Sequence, residues 1–420
     1  MREMKDSGVE WIGEIPCDWK LERSQWHLEE VNISNNPIQT NNVLSLTNKL
    51  GVVPYEEKGN QGNKSKENVY EYKLAYPNTI VANSMNILIG SVGLCDYFGC
   101  VSPVYYVFRA KKYNNIKFLN YVFQTVGFQR ELRKYANGIL EIRLRVSSSD
   151  ILKRFIPFPS EIEQQRIAEF LDRECGKIDG LKADIQAQID TLEQYKRSVI
   201  TEAVTHGLNP SAPMKDSGAG WMPLIPLHWK ADKLKFHLRQ RGIKNQIDKQ
   251  VLSLYREYGI VPKDSRDDNH NVTSEDVSDY RYVRVGDFVV NKMKAWQGSV
   301  AVSNYEGIVS PAYFVYEFSD DLINKRYFHY LMRNKTYATE FRCLSGGIRE
   351  GQWDLPSEAL NNTIILLPPL DEQQEIADYL DNKCAEIEQI IADKKTQIET
   401  LDGYKKSLIY EYVTGKKEVG

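Results

Sequence analysis

Cysteine and histidine are scarce, six of each in 420 residues, and neither is spaced for metal work. Cys17, Cys95, Cys100, Cys175, Cys343 and Cys384 include no C-x-x-C pair, and the close pair Cys95 and Cys100 has no histidine near it in sequence to complete a zinc set. They read as small buried hydrophobes. The histidines (His27, His206, His228, His237, His270, His329) form no H-E-x-x-H and adjoin no nucleophile signature, so they read as surface or packing residues. No stretch approaches the roughly 18 uncharged apolar residues of a membrane span. Asp6, Glu10, Glu14 and Asp18 make the start of the chain unlike a signal or transit peptide. The expected setting is cytoplasmic, with no membrane partner.

Nucleotide and catalytic signatures are missing too. No G-x-x-x-x-G-K-[ST] offers the nest of amides that cradles a triphosphate. No strand-linked G-x-G-x-x-G has an acidic residue about 20 positions on, and no Asn/Asp-Pro-Pro-Tyr/Phe run is present to position an amino group for methyl transfer. Glu71-Tyr72-Lys73 has nuclease-like spacing but no preceding acidic partner, and reads as a solvated strand edge. The chain is therefore expected to carry no catalytic residue, no metal and no cofactor. Wholesale disorder is excluded as well, because 42% hydrophobic and 11% aromatic residues can bury enough apolar surface to offset chain entropy.

What the sequence does contain is a repeat. Length alone suggests about two to four domains, and internal similarity settles the arrangement. Met4-Lys5-Asp6-Ser7-Gly8, Trp11 and Ile15-Pro16-x-x-Trp19-Lys20 return 210 positions later as Met214-Lys215-Asp216-Ser217-Gly218, Trp221 and Ile225-Pro226-x-x-Trp229-Lys230. Val43-Leu44-Ser45-Leu46 matches Val251-Leu252-Ser253-Leu254, and Gly51-Val52-Val53-Pro54 matches Gly259-Ile260-Val261-Pro262. Val101-Ser102-Pro103 matches Val309-Ser310-Pro311. Glu163-Gln164-Gln165-x-Ile167-Ala168-x-x-Leu171-Asp172 returns as Glu372-Gln373-Gln374-x-Ile376-Ala377-x-x-Leu380-Asp381, and Tyr195-Lys196-Arg197-Ser198 as Tyr404-Lys405-Lys406-Ser407. The whole chain is a tandem duplication.

Each copy changes period partway along. Over residues 20–158 and 230–367, short apolar runs such as 79–82, 101–108, 287–290 and 313–316 alternate with Gly, Asn and Pro, the pattern of strands and turns. Helical patches lie between them at 116–135 and 324–341. Prolines at 157, 159, 368 and 369 then stop the strand pattern and start a helix with acidic residues in its first turn. From there a heptad seam is expected at 167, 171, 174, 178, 181, 185, 188, 192, 195 and 199, and at the same positions plus 209 in the second copy. A helix over 161–205 would span about 60 Å, and a seam that long needs a partner. The partner expected is its own duplicate, packed antiparallel; pairing between chains and docking onto other proteins are the competing arrangements. The fold class expected is α+β: two pseudo-twofold-related mixed α/β domains separated by a long antiparallel two-helix coiled coil. The divisions are 1–158, a first helix 159–206, 207–367 and a second helix 368–415.

Charge is unevenly placed. Residues 40–159 hold sixteen Lys and Arg against eight Asp and Glu, whereas 161–205 hold six against ten and 370–414 five against eleven. A basic unit suits a polyanion, because neutralised phosphates release counterions, while acidic helices are better suited to protein partners. The second globular stretch, 249–368, has fourteen against sixteen, so its basic residues would have to gather on one face.

This pattern resembles the specificity subunit of a type I restriction-modification system. The likeness covers nearly the whole chain and rests on the paired layout, the G-x-x-W-x-x-x-I-P-x-x-W run (Gly8 to Trp19, Gly218 to Trp229) and the P-x-x-x-E-Q-Q-x-I-A-x-x-L-D helix start. It implies that the two globular parts are target recognition domains, each reading half of a bipartite site in double-stranded DNA. It also implies that the helices are the spacer on which two methyltransferase (M) subunits assemble, with restriction (R) subunits binding to that complex. Asn291-Lys292-Met293-Lys294-Ala295-Trp296-Gln297-Gly298, Val309-Ser310-Pro311 and Gly346-Gly347-Ile348-Arg349 stand where such domains present polar loops to DNA. The first half departs from this, with Asn83-Ser84-Met85-Asn86-Ile87-Leu88-Ile89-Gly90 and Asn137-Gly138-Ile139-Leu140. The DNA-contacting residues implied are Lys292, Lys294, Trp296, Gln297, Arg349 and Gln352 in the second half. In the first they are Asn83, Ser84, Asn86, Arg143, Arg145, Lys49, Lys64 and Lys66, and the polar loops 59–66 and 263–270 are further candidates. Two other functions fit the same sequence: a coiled-coil protein–protein adaptor without DNA specificity, and the specificity subunit of a system whose nuclease is fused to the methyltransferase.

Overall fold

The computed structural model describes residues 2–47, 51–58, 68–111, 114–138, 144–256, 258–265, 273–274, 276–347 and 353–420. The chain forms two compact units, residues 1–185 with 395–420, and residues 186–394. The boundary falls inside both long helices, so the first unit contains the start of one and the end of the other, and so does the second.

In the first unit a four-stranded antiparallel sheet has the order Leu28–Glu30, Tyr105–Ala110, Thr79–Asn83, Val92–Cys95. Alternation along the strands divides the core in two. Ile80, Ala82 and Phe108 face a cluster with Phe118, Leu119, Val122, Phe123 and Phe128 from helices α1 (Ile116–Gln124) and α2 (Val126–Arg133). Val81 and Val107 face the opposite way, onto Leu44, Leu46 and Val52 of the hairpin Leu44–Thr47/Gly51–Pro54. A short helix α3 (Ser148–Leu152) precedes strand Phe155–Phe158, which pairs with Lys20–Arg23 and leads into α4 (Glu161–His206).

The second unit repeats this. Its sheet runs Leu238–Arg241, Tyr313–Phe318, Phe288–Asn291, Val300–Val302. Phe288, Val290 and Tyr316 face Phe328, Leu331 and Phe341 of α5 (Lys325–Arg333) and α6 (Lys335–Leu344), and Val289 and Val315 face Leu252, Leu254 and Ile260. Helix α7 (Ser357–Asn361) and strand Ile364–Leu367 lead into α8 (Leu370–Val413).

Local chemistry alters two expected boundaries. The run 101–108 is two strands, because Ser102-Pro103 interrupts it: Gly99–Val101 pairs with Lys73–Ala75, and Tyr105–Ala110 joins the large sheet. Each helical patch is also two helices. Thr125 ends α1 and caps α2 by accepting from Phe128 N–H at 3.3 Å, and Asn334 does the same for α6 at Thr336 and Tyr337. The cysteines divide four to two: Cys95, Cys100, Cys175 and Cys384 are buried as expected, while Cys17 and Cys343 are exposed. Burial pushes the Cys175 thiol up to about 11, so it stays protonated at neutral pH.

The long helices pack against each other within each unit. Lys182 pairs with Asp402 and Lys405 with Asp179 in the first, and Lys196 with Glu388 in the second. Moving forward on α4 moves backward on α8, so the pair is antiparallel. The seam is not the one expected. Leu171 and Ile178 are buried as predicted, but the alternate positions shift by one residue: Cys175 and Ile189 are buried, whereas Leu181 is 53% and Tyr195 49% exposed. In α8 the same shift buries Cys384 and Ile391 in place of Lys383 and Ile390. The reason lies in the lysines. Lys182, Lys196 and Lys405 lay apolar stems along the seam and place their ammonium groups on carboxylates of the facing helix.

The helix starts are tied to the globular part by one motif. Gln164, 1% exposed, accepts from Asn115 N–H at 3.1 Å and donates to Pro159 O at 3.0 Å; Gln165 accepts from the Asn115 side-chain amide. Gln373, equally buried, accepts from Asn324 N–H at 2.8 Å and donates to Leu322 O and Pro368 O at 3.0 and 2.9 Å, while Gln374 takes the Asn324 amide at 2.6 Å. Asn115 and Asn324 are the caps of α1 and α5. Glu163 accepts from Trp19 Nε1 at 2.9 Å, and Glu372 meets His228 at 2.7 Å.

The end of the other helix closes each core. Leu408, Ile409 and Val413 lie in the cluster with Trp11, Trp19 and Leu171, and Ala203 and Val204 lie in that with Trp229 and Leu380. Deleting residues 401–420 is expected to strip amide-exchange protection from 11–19 and 167–178 while leaving 288–302 protected. Hydrogen exchange checks this, and uniform loss in both stretches would contradict the division into two units.

Candidate nucleic-acid interface

Strand Phe288–Asn291 runs out into a loop and a single 3-10 turn, Ala295–Gln297. Asn291 is buried, and its side-chain oxygen accepts from Met293 N–H at 3.1 Å. Gly298, at φ 87°, ends the turn in a conformation that side-chain-bearing residues avoid. Backbone bonds sew this loop to two more. Lys292 N–H donates to Ala312 O at 3.1 Å, just beyond Val309-Ser310-Pro311, and Lys292 O accepts from Leu355 N–H at 2.9 Å. Gly346 and Asp354 exchange backbone bonds of 3.2 and 2.9 Å. The segments 291–298 and 309–311 thus come together, with the Gly346–Asp354 pair joined to them through Leu355.

The first unit builds the same frame. Asn83 Oδ1 accepts from Met85 N–H at 3.0 Å, and Gly90 sits at φ 90°. Ser84 N–H donates to Val104 O at 3.2 Å, Ser84 O accepts from Val146 N–H at 3.1 Å, and Asn137 and Arg145 exchange bonds of 2.8 and 2.9 Å. Beneath each frame lies a partly buried tyrosine, Tyr105 or Tyr313, whose phenol desolvation pushes above its ordinary range, so both stay neutral.

The side chains on this common frame differ. In the second unit Lys292 is half-buried with Nζ 3.1 Å from Asp354, Lys294 is exposed and Gln297 is half-buried. Trp296 donates from Nε1 to Met293 O at 3.1 Å and meets Trp353 edge-on with centroids 5.7 Å apart. The Arg342 guanidinium lies 6.0 and 5.8 Å from these two rings. In the first unit Ser84 stands in the place of Lys292, Asn86 of Lys294, Leu88 of Trp296, Ile89 of Gln297, Leu144 of Trp353 and Arg145 of Asp354. Asn86 and Arg145 are exposed, and Ile89 is 66% exposed.

Asn83 and Ser84 differ from the expectation that they reach DNA. Both are buried; the Asn83 side-chain oxygen accepts from the Met85 and Asn86 amides of the turn, and Ser84 is tied to the neighbouring segments through its backbone. Lys49, Lys64, Lys66, Arg143, Arg349 and Gln352 lie outside the described residues, as do 59–66 and 266–270 of the two polar loops. Trp353, Asp354 and Arg342 were not expected. Aligning the copies at 137–145 and 346–354 would have exposed the first two, as places where Leu144-Arg145 becomes Trp353-Asp354. Arg342 lies on α6 and carries no loop signal.

A mixed α/β unit is thus built twice, each copy with a three-loop surface of its own. Residues 243–400 match the family model of the type I restriction modification DNA specificity domain. The fold is similar to that of a chain from a type I R-M system solved for its complex assembly and conformational transition, with TM-score 0.68, 12% identity, and 96% of this chain and 99% of that one covered. It is also similar to the HsdS subunit from Thermoanaerobacter tengcongensis, with TM-score 0.50, 15% identity and coverages of 96% and 98%. The family likeness thus falls on residues 243–400, and the two solved structures, at 12% and 15% identity, share the fold of the whole chain.

Replacing Asn83 by Ala is expected to lower unfolding free energy by roughly 1–3 kcal/mol through the orphaned turn amides, and Asn86→Ala by less than about 0.5 kcal/mol. Urea titration compares them, and equal losses would refute the division between frame and surface.

Proposed function

We propose that each unit reads one half of a bipartite duplex site through its three-loop surface. In this reading residues 1–158 and 207–367 are the target recognition domains. The helices of 159–206 and 368–415 fix the gap between half-sites and dock two methyltransferase subunits, and restriction subunits join through these. The chain itself does no chemistry; it supplies address and spacing. One observation carries the reading: a single backbone frame bears two unlike sets of side chains, as two unlike half-sites require. Lys292, Lys294 and Arg145 suit phosphate or guanine edges, and Asn86 and Gln297 suit adenine. The acidic helices, six basic against ten acidic residues over 161–205, suit protein partners better than phosphate. The similar chain from a type I R-M system assembly supports the docking role.

Two readers on one face of a duplex sit about one helical turn apart, roughly 34 Å. Seven residues inserted at facing levels of both helices preserve the heptad phase and add about 10 Å, close to three base pairs. Genome-wide methylation mapping is expected to show a gap about three base pairs longer between unchanged half-sites; altered half-site bases would contradict the spacer role. Exchanging 20–158 for the equivalent part of a relative is expected to change one half of the motif alone. Both halves changing would end the two-reader reading.

A further inference from the structure

The half-buried cation of the second unit's first loop, Lys292, does not stand alone. The Lys292 ammonium is 3.1 Å from Asp354, and that carboxylate is fixed from behind. Asp354 exchanges two backbone bonds with Gly346, and its neighbour Leu355 bonds to the carbonyl of Lys292 itself. The Asp354 Oδ1 atom is buried with no hydrogen-bond partner among the described residues. Beside the pair stand Trp296 and Trp353, with Arg342 across both rings.

An ammonium has three donors, and one committed to Asp354 leaves two with defined directions. A lysine neutralised in this way is a poor phosphate anchor, because it brings little net charge for counterion release. It is a better base reader. Guanine presents two acceptors side by side in the major groove, O6 and N7, whereas adenine pairs its N7 acceptor with an N6 donor that an ammonium would oppose. In the first unit the same two places hold Ser84 and Arg145, which moves the cation to the other loop and leaves no such pair.

We propose that Asp354 is a specificity-determining residue that holds Lys292 as the reader of one guanine in the half-site met by the second unit. Trp353 and Arg342 are positioning residues that hold Trp296 and its loop. The inference rests on the half-site reading above and goes further by naming a base and the residue that orients its reader.

The test uses the full chain in its methyltransferase complex, with the methylated motif mapped for wild type, Asp354→Asn, Lys292→Met and Trp353→Leu, and DNA affinity followed against salt. Asp354→Asn and Lys292→Met are expected to relax the same single G·C position in one half-site, discrimination there falling roughly tenfold to a hundredfold, with the other half intact. Trp353→Leu relaxes that position less. The inference is overturned if both variants keep the full motif, or if they weaken binding evenly over all sequences with a salt slope shallower by about one, the behaviour of a phosphate contact. Should Asp354→Asn fail to fold, the Lys292→Met motif decides. A wild-type complex without a split motif would sink the half-site reading itself, a result distinct from these.

Discussion

A buried glutamine at the head of each long helix governs the architecture. Gln164 and Gln373 are enclosed at the point where strand becomes helix, and each spends its carboxamide on backbone from two directions. The oxygen takes the N–H of the residue capping α1 or α5, and the nitrogen takes a carbonyl of the proline-bearing entrance to α4 or α8. Removing such a group leaves buried donors and acceptors unmatched, which costs more than the bonds contribute when made. The direction in which each long helix leaves its unit is therefore fixed to the helix that backs its sheet, and the sheet in turn carries the three joined loops. Repetition of the same bonds on Asn115 and Asn324 explains why the Glu-Gln-Gln run is so closely reproduced at both helix starts.

The seam between the helices follows a different rule. Cys175, Ile178 and Ile189 give an apolar strip too narrow to exclude water by itself, and lysines complete it. A lysine stem covers apolar surface while its head finds a carboxylate across the seam. Because these pairs are half-exposed, each adds little stability alone. Their larger effect is on register, since Lys182 meets Asp402 and Lys405 meets Asp179 only when the antiparallel helices are correctly aligned.

The duplication, the split into strand-rich and helical parts, and the helix starts were all legible in the sequence because they are repeated or periodic. The seam phase was not. A pattern that scores Leu181 and Tyr195 as buried and Lys182 and Lys196 as solvated cannot register a stem that is buried while its tip is charged. The breaks at Thr125 and Asn334 were missed for a related reason: both residues act through side-chain oxygens on backbone amides, a local effect inside an otherwise apolar helical pattern. At the three-loop surface, motif likeness named the loops without separating the roles of the residues within them. Asn83 and Asn86 look alike in sequence; one holds the turn and the other is exposed, a difference only the strand end settles.

Separating frame from surface bears on how the proposed readers would change target. The bonds that join the three loops are almost all backbone to backbone, from Lys292 to Ala312 and Leu355, and from Ser84 to Val104 and Val146. They do not depend on which side chain stands at 292 or 84, at 296 or 88, or at 354 or 145. Substitution at the exposed positions 294, 86 and 145 leaves the frame bonds made, so its stability cost is that of a surface change, within about 0.5 kcal/mol. A well-matched side chain on a base edge, by comparison, is worth roughly 1–3 kcal/mol of discrimination against the wrong base. On the reading proposed above, recognition can therefore shift by more than stability does, and the two copies in this chain carry Lys, Trp and Asp in one and Ser, Leu and Arg in the other on one backbone.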